Sequence, residues 1–511
     1  MDIMFHDIFT ALIEMMTIGT IVAMIAGTCL GICLGALPGI GATLGIALAI
    51  PFTYGMGPLP ALALLAGIHN GSSQGGAIPA ILLNMPGTPG AIVTTWDGHP
   101  LAQQGKAGGA INLSAMSCAV GGSLSALSLI LLAPPLAKVA LAFGPPEIFW
   151  VNVFGIATVA ALLGNDLLKG FIAACFGLLI GTIGLDNVSG HERYTFGMLE
   201  LVNGVATVAV MVGMFSLPPA WNLVRHARKR QSAAASINKI RIVSEKIWTI
   251  AGVWRAWSVA SFIGIINGIL PGSAIASFIA YNEAKRVSKN PEKFGKGSIE
   301  GLAAAECVNA ADNASALIPT LTLGVPGSNV AALMLGALLI QGFQPGPQLF
   351  RDAPNIVYGY SWALVITALL LVPLGGALAS RIFANVLRIP TTLLLPLIIV
   401  IASAGVFASQ NSMFDVYVAA FFGVVGLAMI RFDFPIAPVI IGLVLGAKAE
   451  FNLRVSLMMS AGDYGILIFR PICIILIILT ILIVTFPLYR AYQDWRKRRE
   501  SGGERQVSAE Q

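Results

Sequence analysis

An apolar stretch interrupted by Pro-Gly occurs twice in this chain, once in each half, and that recurrence constrains the fold more than any other feature. The first copy is Ala77-Ile-Pro-Ala-Ile-Leu-Leu-Asn-Met-Pro-Gly-Thr-Pro-Gly-Ala91 and the second is Leu317-Ile-Pro-Thr-Leu-Thr-Leu-Gly-Val-Pro-Gly-Ser-Asn-Val-Ala331. Aligned, they pair Ile78 with Ile318, Pro79 with Pro319, Leu83 with Leu323, Pro86-Gly87 with Pro326-Gly327, Thr88 with Ser328 and Ala91 with Ala331. Upstream and in the same order, Gly35-Ala-Leu-Pro-Gly39 answers Gly268-Ile-Leu-Pro-Gly272, and Asn70 answers Asn309 with one residue of slippage. The matches predict two homologous repeats, 1–220 and 251–488, joined by a basic linker over 221–250 and followed by a basic tail over 489–511.

The solvent these repeats expect follows from charge. Of 511 residues 56% are apolar and only 11% charged, with a mean hydropathy of +0.83. Lipid cannot satisfy free backbone groups, so such a chain must be helical wherever it spans. With about 20 apolar residues per span, the pattern predicts an all-α integral membrane protein of about 10–12 transmembrane helices. A net charge of +6 does not point to nucleic acid, because the basic residues flank apolar runs. They gather at Arg225 to Lys246, Lys285 to Lys296 and Arg490 to Arg499, as cytoplasmic loops do. The acidic N-terminus with no basic n-region argues against a cleavable signal peptide. The six cysteines form no zinc or disulfide pattern. No G-x-x-x-x-G-K-[ST] loop is present, so energy must come from a gradient or a partner.

The charge difference between two equivalent loops sets their orientation. Asn282 to Ser298 is strongly basic, whereas its counterpart, Thr53 to Pro58, carries no charge. The positive-inside bias places the basic loop in the cytoplasm and its twin outside, which predicts inverted repeats.

Gly/Pro-interrupted segments at corresponding places in two halves point to a transporter's binding site. The breaks should free backbone N–H groups at half-helix N-termini, where the positive dipole end favours a carboxylate. Pro86, Gly87 and Thr88 in the first copy, and Pro326, Gly327, Ser328 and Asn329 in the second, are therefore expected to bind substrate. Thr94 and Thr95 offer further hydroxyls, and Asp97-Gly-His-Pro100 reads as a turn. Ahead of each break lies a polar patch. Gly67 to Gly76 is uncharged and offers Asn70, Ser72, Ser73 and Gln74; its counterpart, Glu306 to Ser315, carries two carboxylates. Glu306 stands nearer the basic loop, where water would solvate it. An intramembrane carboxylate is functional by default, and hard cations favour oxygen ligands, so Asn70, Asn309 and Asp312 are the candidate sodium ligands. Asn70, Ser72 and Ser73 are also assigned to substrate. His69 and His99 lack a second ligand at helical spacing and read as local hydrogen-bonding residues. Breaks are also expected at Pro134-Pro135 and Pro373.

At these positions the sequence resembles the large permease subunit of the tripartite tricarboxylate transporters, the TctA family. The residues that carry the resemblance are Gly35-Ala-Leu-Pro-Gly39, Ile81-Leu-Leu-Asn-Met-Pro-Gly-Thr-Pro-Gly90, Asp97-Gly98, Gln104-Gly105, Glu306 with Asn309, and Leu317 to Gly327. The resemblance covers essentially the whole chain. It implies a multi-pass carrier of the bacterial inner membrane that works with a small four-span membrane subunit and a periplasmic solute-binding protein. It also implies carboxylate substrates, citrate being the type case, symported on a cation gradient that is often sodium, with no tightly bound cofactor. His69-Asn70 and Ala311-Asp312 depart from the family's pattern. The rival reading is a stand-alone carboxylate carrier needing no binding protein. An intramembrane enzyme would need a nucleophile with its base, or a ligand cluster, and no such spacing stands out.

Overall fold

The computed structural model describes residues 2–37, 41–162, 166–186, 189–225, 250–269, 276–378 and 391–485. Gly39 and Gly272, most of the basic linker and the C-terminal tail lie outside the described residues. The chain is helical nearly throughout, and the one sheet among the described residues pairs Gly184–Leu185 with Glu192–Arg193. Four of the described helices are long and apolar enough to cross a membrane, and seven further apolar helices run 10–17 residues.

The chain divides into two compact units, one built from Met1–Ala142 with Val205–Ile430 and the other from Phe143–Gly204 with Arg431–Gln511. The larger unit opens with α1 (Asp2–Met15), α2 (Ile18–Ala36), α3 (Gly41–Ala49), α4 (Pro58–Gly75), α5 (Ala77–Leu83), α6 (Thr94–Gln103) and α7 (Ala107–Ala140). In the smaller unit α8 (Pro145–Leu162) and α9 (Leu167–Gly181) follow. The larger unit resumes with α10 (Thr207–Arg225), α11 (Ile250–Ile269), α12 (Ala276–Val287), α13 (Ile299–Ser315), α14 (Leu317–Leu323), α15 (Asn329–Ile340), α16 (Leu349–Asp352), α17 (Pro354–Leu371), α18 (Thr391–Gln410) and α19 (Met413–Arg431). The smaller unit closes with α20 (Ala437–Met459), α21 (Gly465–Ile468) and the apolar helix Pro471–Thr485.

In a lipid solvent burial of apolar side chains drives little, so helices associate where small residues let backbones approach. α2 and α4 show this directly. A Cβ on Gly27, Gly31 or Gly35 would run into the carbonyls of Leu64, Ile68 and Ser72, and one on Gly67, Gly71 or Gly75 into the backbone of α2. α11 meets α13 in the same way through Gly264 and Gly268. Around this contact Ile78, Ile81, Ala110, Ile111, Leu302 and Ala303 form one buried core drawn from both breaks' flanking helices.

Thr17 caps α2, its hydroxyl accepting from Thr20 N. Two sequence readings change. Pro134 and Pro135 lie inside the 34-residue α7 and do not end it; membrane helices tolerate proline when neighbouring groups re-satisfy the freed carbonyls. Asp97 to Pro100 is helix α6, not a turn. Pro373 does mark an irregularity, a π-helical turn over Val372–Leu378, and Gln74 Nε2 donates to the Gly375 carbonyl there at 2.7 Å.

In the smaller unit α9 and α20 pack backbone to backbone through Gly177 and Gly442. The two-stranded pair is tied to α20 by charge. Arg193 bonds Glu450 at 2.7 Å, and Arg454 bridges Asp186 at 2.7 Å and Glu450 at 2.6 Å.

Candidate substrate and cation site

The two Pro-Gly segments fold alike. α4 ends at Gly75 and restarts after Gly76 as α5; α13 ends at Ser315 and restarts after Ala316 as α14. Each restarted helix has seven residues and stops at a left-handed residue, Asn84 with φ 53° and Gly324 with φ 75°. Glycine takes that conformation freely, and asparagine is the usual non-glycine substitute. Non-helical backbone follows over 85–88 and 325–328.

Each break then doubles back on its own half. Gly87 N donates to Gly76 O at 3.1 Å. A Cβ on Gly87 would lie 2.5 Å from Gly35 O and 2.7 Å from Gly76 Cα, so only glycine fits. Gly327 holds the equivalent place more loosely, 3.4 Å from Gly268 O and 3.5 Å from Ala316 O by the same measure. Past the breaks the halves differ. Ser328 caps α15, its Oγ accepting from Ala331 N at 3.1 Å. Thr88 leads instead into a short 3-10 turn, Pro89–Ile92, and makes no cap bond.

The helices beyond the breaks each hydrogen-bond across to the other half. At the end of α6, Gln104 Nε2 donates to Lys296 O at 2.9 Å; at the end of α15, Gln341 Nε2 donates to Thr53 O at 2.7 Å. Asp97 strengthens the first of these locks. Its Oδ1 accepts from the backbone N–H groups of Gly295, Gly297 and Ser298 at 2.7–2.9 Å, and its Oδ2 accepts from Tyr281 at 2.8 Å. Trp96 stacks edge-on against Phe278 and Tyr281 beside it.

The polar patch ahead of the first break is the buried C-terminal half of α4. Asn70 Nδ2 donates to Leu364 O at 3.0 Å and Thr367 Oγ1 at 2.9 Å, joining α4 to α17. Ser72 is fully buried and Ser73 nearly so. Asn309 Nδ2 donates to Ser73 Oγ at 3.2 Å, and Gly90 sits so close to Asn309 Oδ1 that a Cβ there would collide with it. Asp312 is half-buried, and its Oδ1 accepts from Asn267 Nδ2 at 2.9 Å. Thus Ser73, Asn309 and the Pro86-to-Gly90 break come together, while the hydrogen bonds of Asn70 and Asp312 run to α17 and α11. Pro86 and Asn329 are exposed, Thr88 and Ser328 half-buried, and Gly87, Pro326 and Gly327 buried.

Ser72 Oγ, Gln74 Oε1 and Thr88 Oγ1 are buried with no hydrogen-bond partner among the described residues, while His69 and Asn313 face each other between α4 and α13. Gln74 is among the groups the sequence offers, whereas the pairing of His69 with Asn313 emerges only once α4 and α13 are seen packed together.

Glu306 is fully buried, not solvated by the basic loop. Its Oε1 accepts from Thr94 Oγ1, and its Oε2 from Ser114 Oγ at 3.0 Å and Cys118 Sγ at 3.3 Å. α13 begins at the basic loop but carries Glu306 two turns into the packed core, which charge counting along the sequence could not show. No group of three or more His, Cys, Asp or Glu side chains that could hold a metal ion occurs among the described residues.

The Tripartite tricarboxylate transporter TctA family matches residues 21–441, a span that includes both breaks and both polar patches. The chain belongs to the TctA family. Membership makes it the large subunit type of a tripartite transport system, consistent with its apolar helices. A relative from Agrobacterium vitis, the uncharacterized 52.8 kDa protein in the TAR-I ttuC' 3' region, is 36% identical over 489 residues, 95% of this TctA chain and 96% of that one. A second from the same organism, the uncharacterized protein in the TAR-II ttuC' 3' region, is 36% identical over 236 residues, 45% of this chain and 97% of that one. No solved structure matches the chain.

Proposed function

We propose that this chain is the large membrane subunit of a cation-gradient-driven symporter that imports di- or tricarboxylates, such as citrate, across the bacterial inner membrane by alternating access. In this reading a periplasmic solute-binding protein delivers the substrate, a small four-span subunit completes the assembly, and sodium is the coupling ion. The two halves are inverted repeats whose breaks form one midplane site.

The observation that carries the reading is the meeting of Ser73, Asn309 and the first break, where Thr88 Oγ1, and Ser72 Oγ one turn ahead of Gly76, are buried without a partner among the described residues. Buried polar groups are almost always satisfied, so unpaired hydroxyls at a broken helix fit a site that takes an oxygen-rich anion with its cation and water. Thr88 and Ser72 would donate to one carboxylate seated against Pro86-Gly87, and Ser328, Asn329 and the Gly327 N–H beside Pro326 to another. Ser73 and Asn70 complete the substrate wall. Asn70 Oδ1, Asn309 and Asp312 remain the proposed sodium ligands, Asp312 supplying the formal charge.

The test is uptake of labelled citrate and other di- and tricarboxylates into proteoliposomes holding this chain and its small subunit. Uptake that needs both a sodium gradient and the binding protein is the expected result. Uptake without the binding protein would establish the stand-alone carrier instead, and no uptake of any carboxylate under any gradient would refute the reading.

A further inference from the structure

We propose that Glu306 is a reversible proton site, its protonation coupled to the first Pro-Gly break, so that a proton is bound and released during the transport cycle. The inference rests on the transport reading for its role in the cycle, but the proton site itself stands on geometry.

The pocket holds a carboxyl group with no cation. From α6, Thr94 Oγ1 meets Oε1; from α7, Ser114 Oγ and Cys118 Sγ meet Oε2. Apart from the Cys118 thiol, the charged and titratable groups on the surrounding elements are engaged or exposed elsewhere: Glu283 on α12 pairs with Arg286, and Lys138 stands in the last turn of α7. Asp97, one turn along α6, binds the backbone of residues 295–298 and Tyr281 of α12. His99 contacts Ile81 O. Lys106 ahead of α7, Arg255 on α11, and Lys285 and Arg286 on α12 are exposed. His69 on α4 faces Asn313. On α13 itself, Cys307 contacts Ser261 and the Trp257 carbonyl, Glu300 lies in the first turn, and Asp312 bonds Asn267. The turn Pro89–Ile92 and α14 carry no titratable residue.

Hydroxyl partners make this pocket serve both protonation states. Thr94 and Ser114 can donate to a carboxylate, and either can rotate to accept from a carboxylic acid. Adding or removing the proton therefore leaves no orphaned partner, whereas an arginine or lysine beside Glu306 would hold it ionised. A buried carboxylate without a counter-charge is costly, which gives the proton a reason to bind whenever the site is closed.

The position links this site to the break. Glu306 and Asn309 lie three residues apart, on one face of α13. Glu306 contacts Thr94 and Asn309 abuts Gly90, so both read the short segment that leaves the break. Ionising Glu306 reorients Thr94 and, through that segment, the seat of Gly90 on Asn309.

Infrared difference spectroscopy of the purified full-length chain across its pH range of stability tests the site directly. The expected result is a carboxylic-acid band that titrates in wild type and is lost in Glu306→Gln, with Thr94→Val moving its midpoint. In proteoliposomes under a sodium gradient, Glu306→Gln should flatten the pH dependence of uptake. Glu306→Asp, which keeps the acid, provides a shifted band if the glutamine variant does not fold. A band that persists in Glu306→Gln, the absence of any titrating band, or an unchanged pH profile of uptake in Glu306→Gln would overturn the proposal. The spectroscopic arm needs no substrate, so a wrong substrate assignment leaves it decisive.

Discussion

Asp97→Ala should cost the protein about 3–7 kcal/mol of stability. The figure comes from four hydrogen bonds that end on this one carboxylate, three from the backbone N–H groups of Gly295, Gly297 and Ser298 and one from Tyr281. Gly295 is exposed, and water replaces its lost partner. Gly297 is half-buried and Ser298 buried, as is Tyr281. Those three donors would be orphaned at about 1–2 kcal/mol each. A smaller loss, about 0.3–1 kcal/mol, comes from removing a negative group at the N-terminal end of α13.

Asp97→Asn separates hydrogen-bond geometry from charge. An asparagine can place its carbonyl on the three N–H groups and its NH₂ on the Tyr281 oxygen, so it should cost only about 1–2 kcal/mol, the loss of charge assistance. The assay is reversible unfolding in mixed micelles by titration with dodecyl sulfate, read by tryptophan fluorescence, since Trp96 lies on the same helix. A wild-type midpoint in Asp97→Ala, or equal damage from both variants, would refute the reasoning.

Gly90→Ala should destabilise the first break by about 1–3 kcal/mol through overpacking against Asn309, seen as a lower unfolding midpoint and weaker substrate binding; wild-type values for both would separate Gly90 from Asn309. Ser328→Ala removes the cap of α15 at a cost of about 1 kcal/mol and, like Pro326→Ala, should raise the KM for uptake while membrane insertion stays intact. Unchanged uptake kinetics in both variants would remove the second break from the substrate site. Asp312→Asn should shift the sodium concentration that gives half-maximal uptake, and an unshifted value would assign Asp312 to its bond with Asn267.

What the sequence revealed was local and what it concealed was long-range. Pro86-Gly87 and Pro326-Gly327 are legible because proline and glycine change the backbone wherever they stand, and both pairs do lie in non-helical segments. The paired ends of α5 and α14 sharpen the alignment, placing Ser72 opposite Asp312 and His69 opposite Asn309 with no slippage. Asn70 appeared available because its partners, Leu364 and Thr367, lie nearly 300 residues away; the separations are 294 and 297. Glu306 was misjudged for a related reason. Proximity to a basic loop along the chain says nothing of depth, and Thr94, Ser114 and Cys118 are hydroxyl and thiol residues with no charge signal. Prolines misled at Pro134-Pro135, where packing around α7 outweighs two missing donors.

The bonds that α6 and α15 make across to the other half also set a schedule for biogenesis. Asp97 and Gln104 emerge from the ribosome well before the residues they bind, Gln104 preceding Lys296 by 192 positions, and Thr53 precedes Gln341 by 288. At about 5–20 residues per second, the first lock waits roughly 10–40 s and the second longer. Throughout that interval Asp97 on α6 lacks the N–H groups of residues 295–298 that it binds in the finished fold, and a nascent product that ends before residue 281 lacks Tyr281 as well, which leaves the carboxylate with none of its four donors.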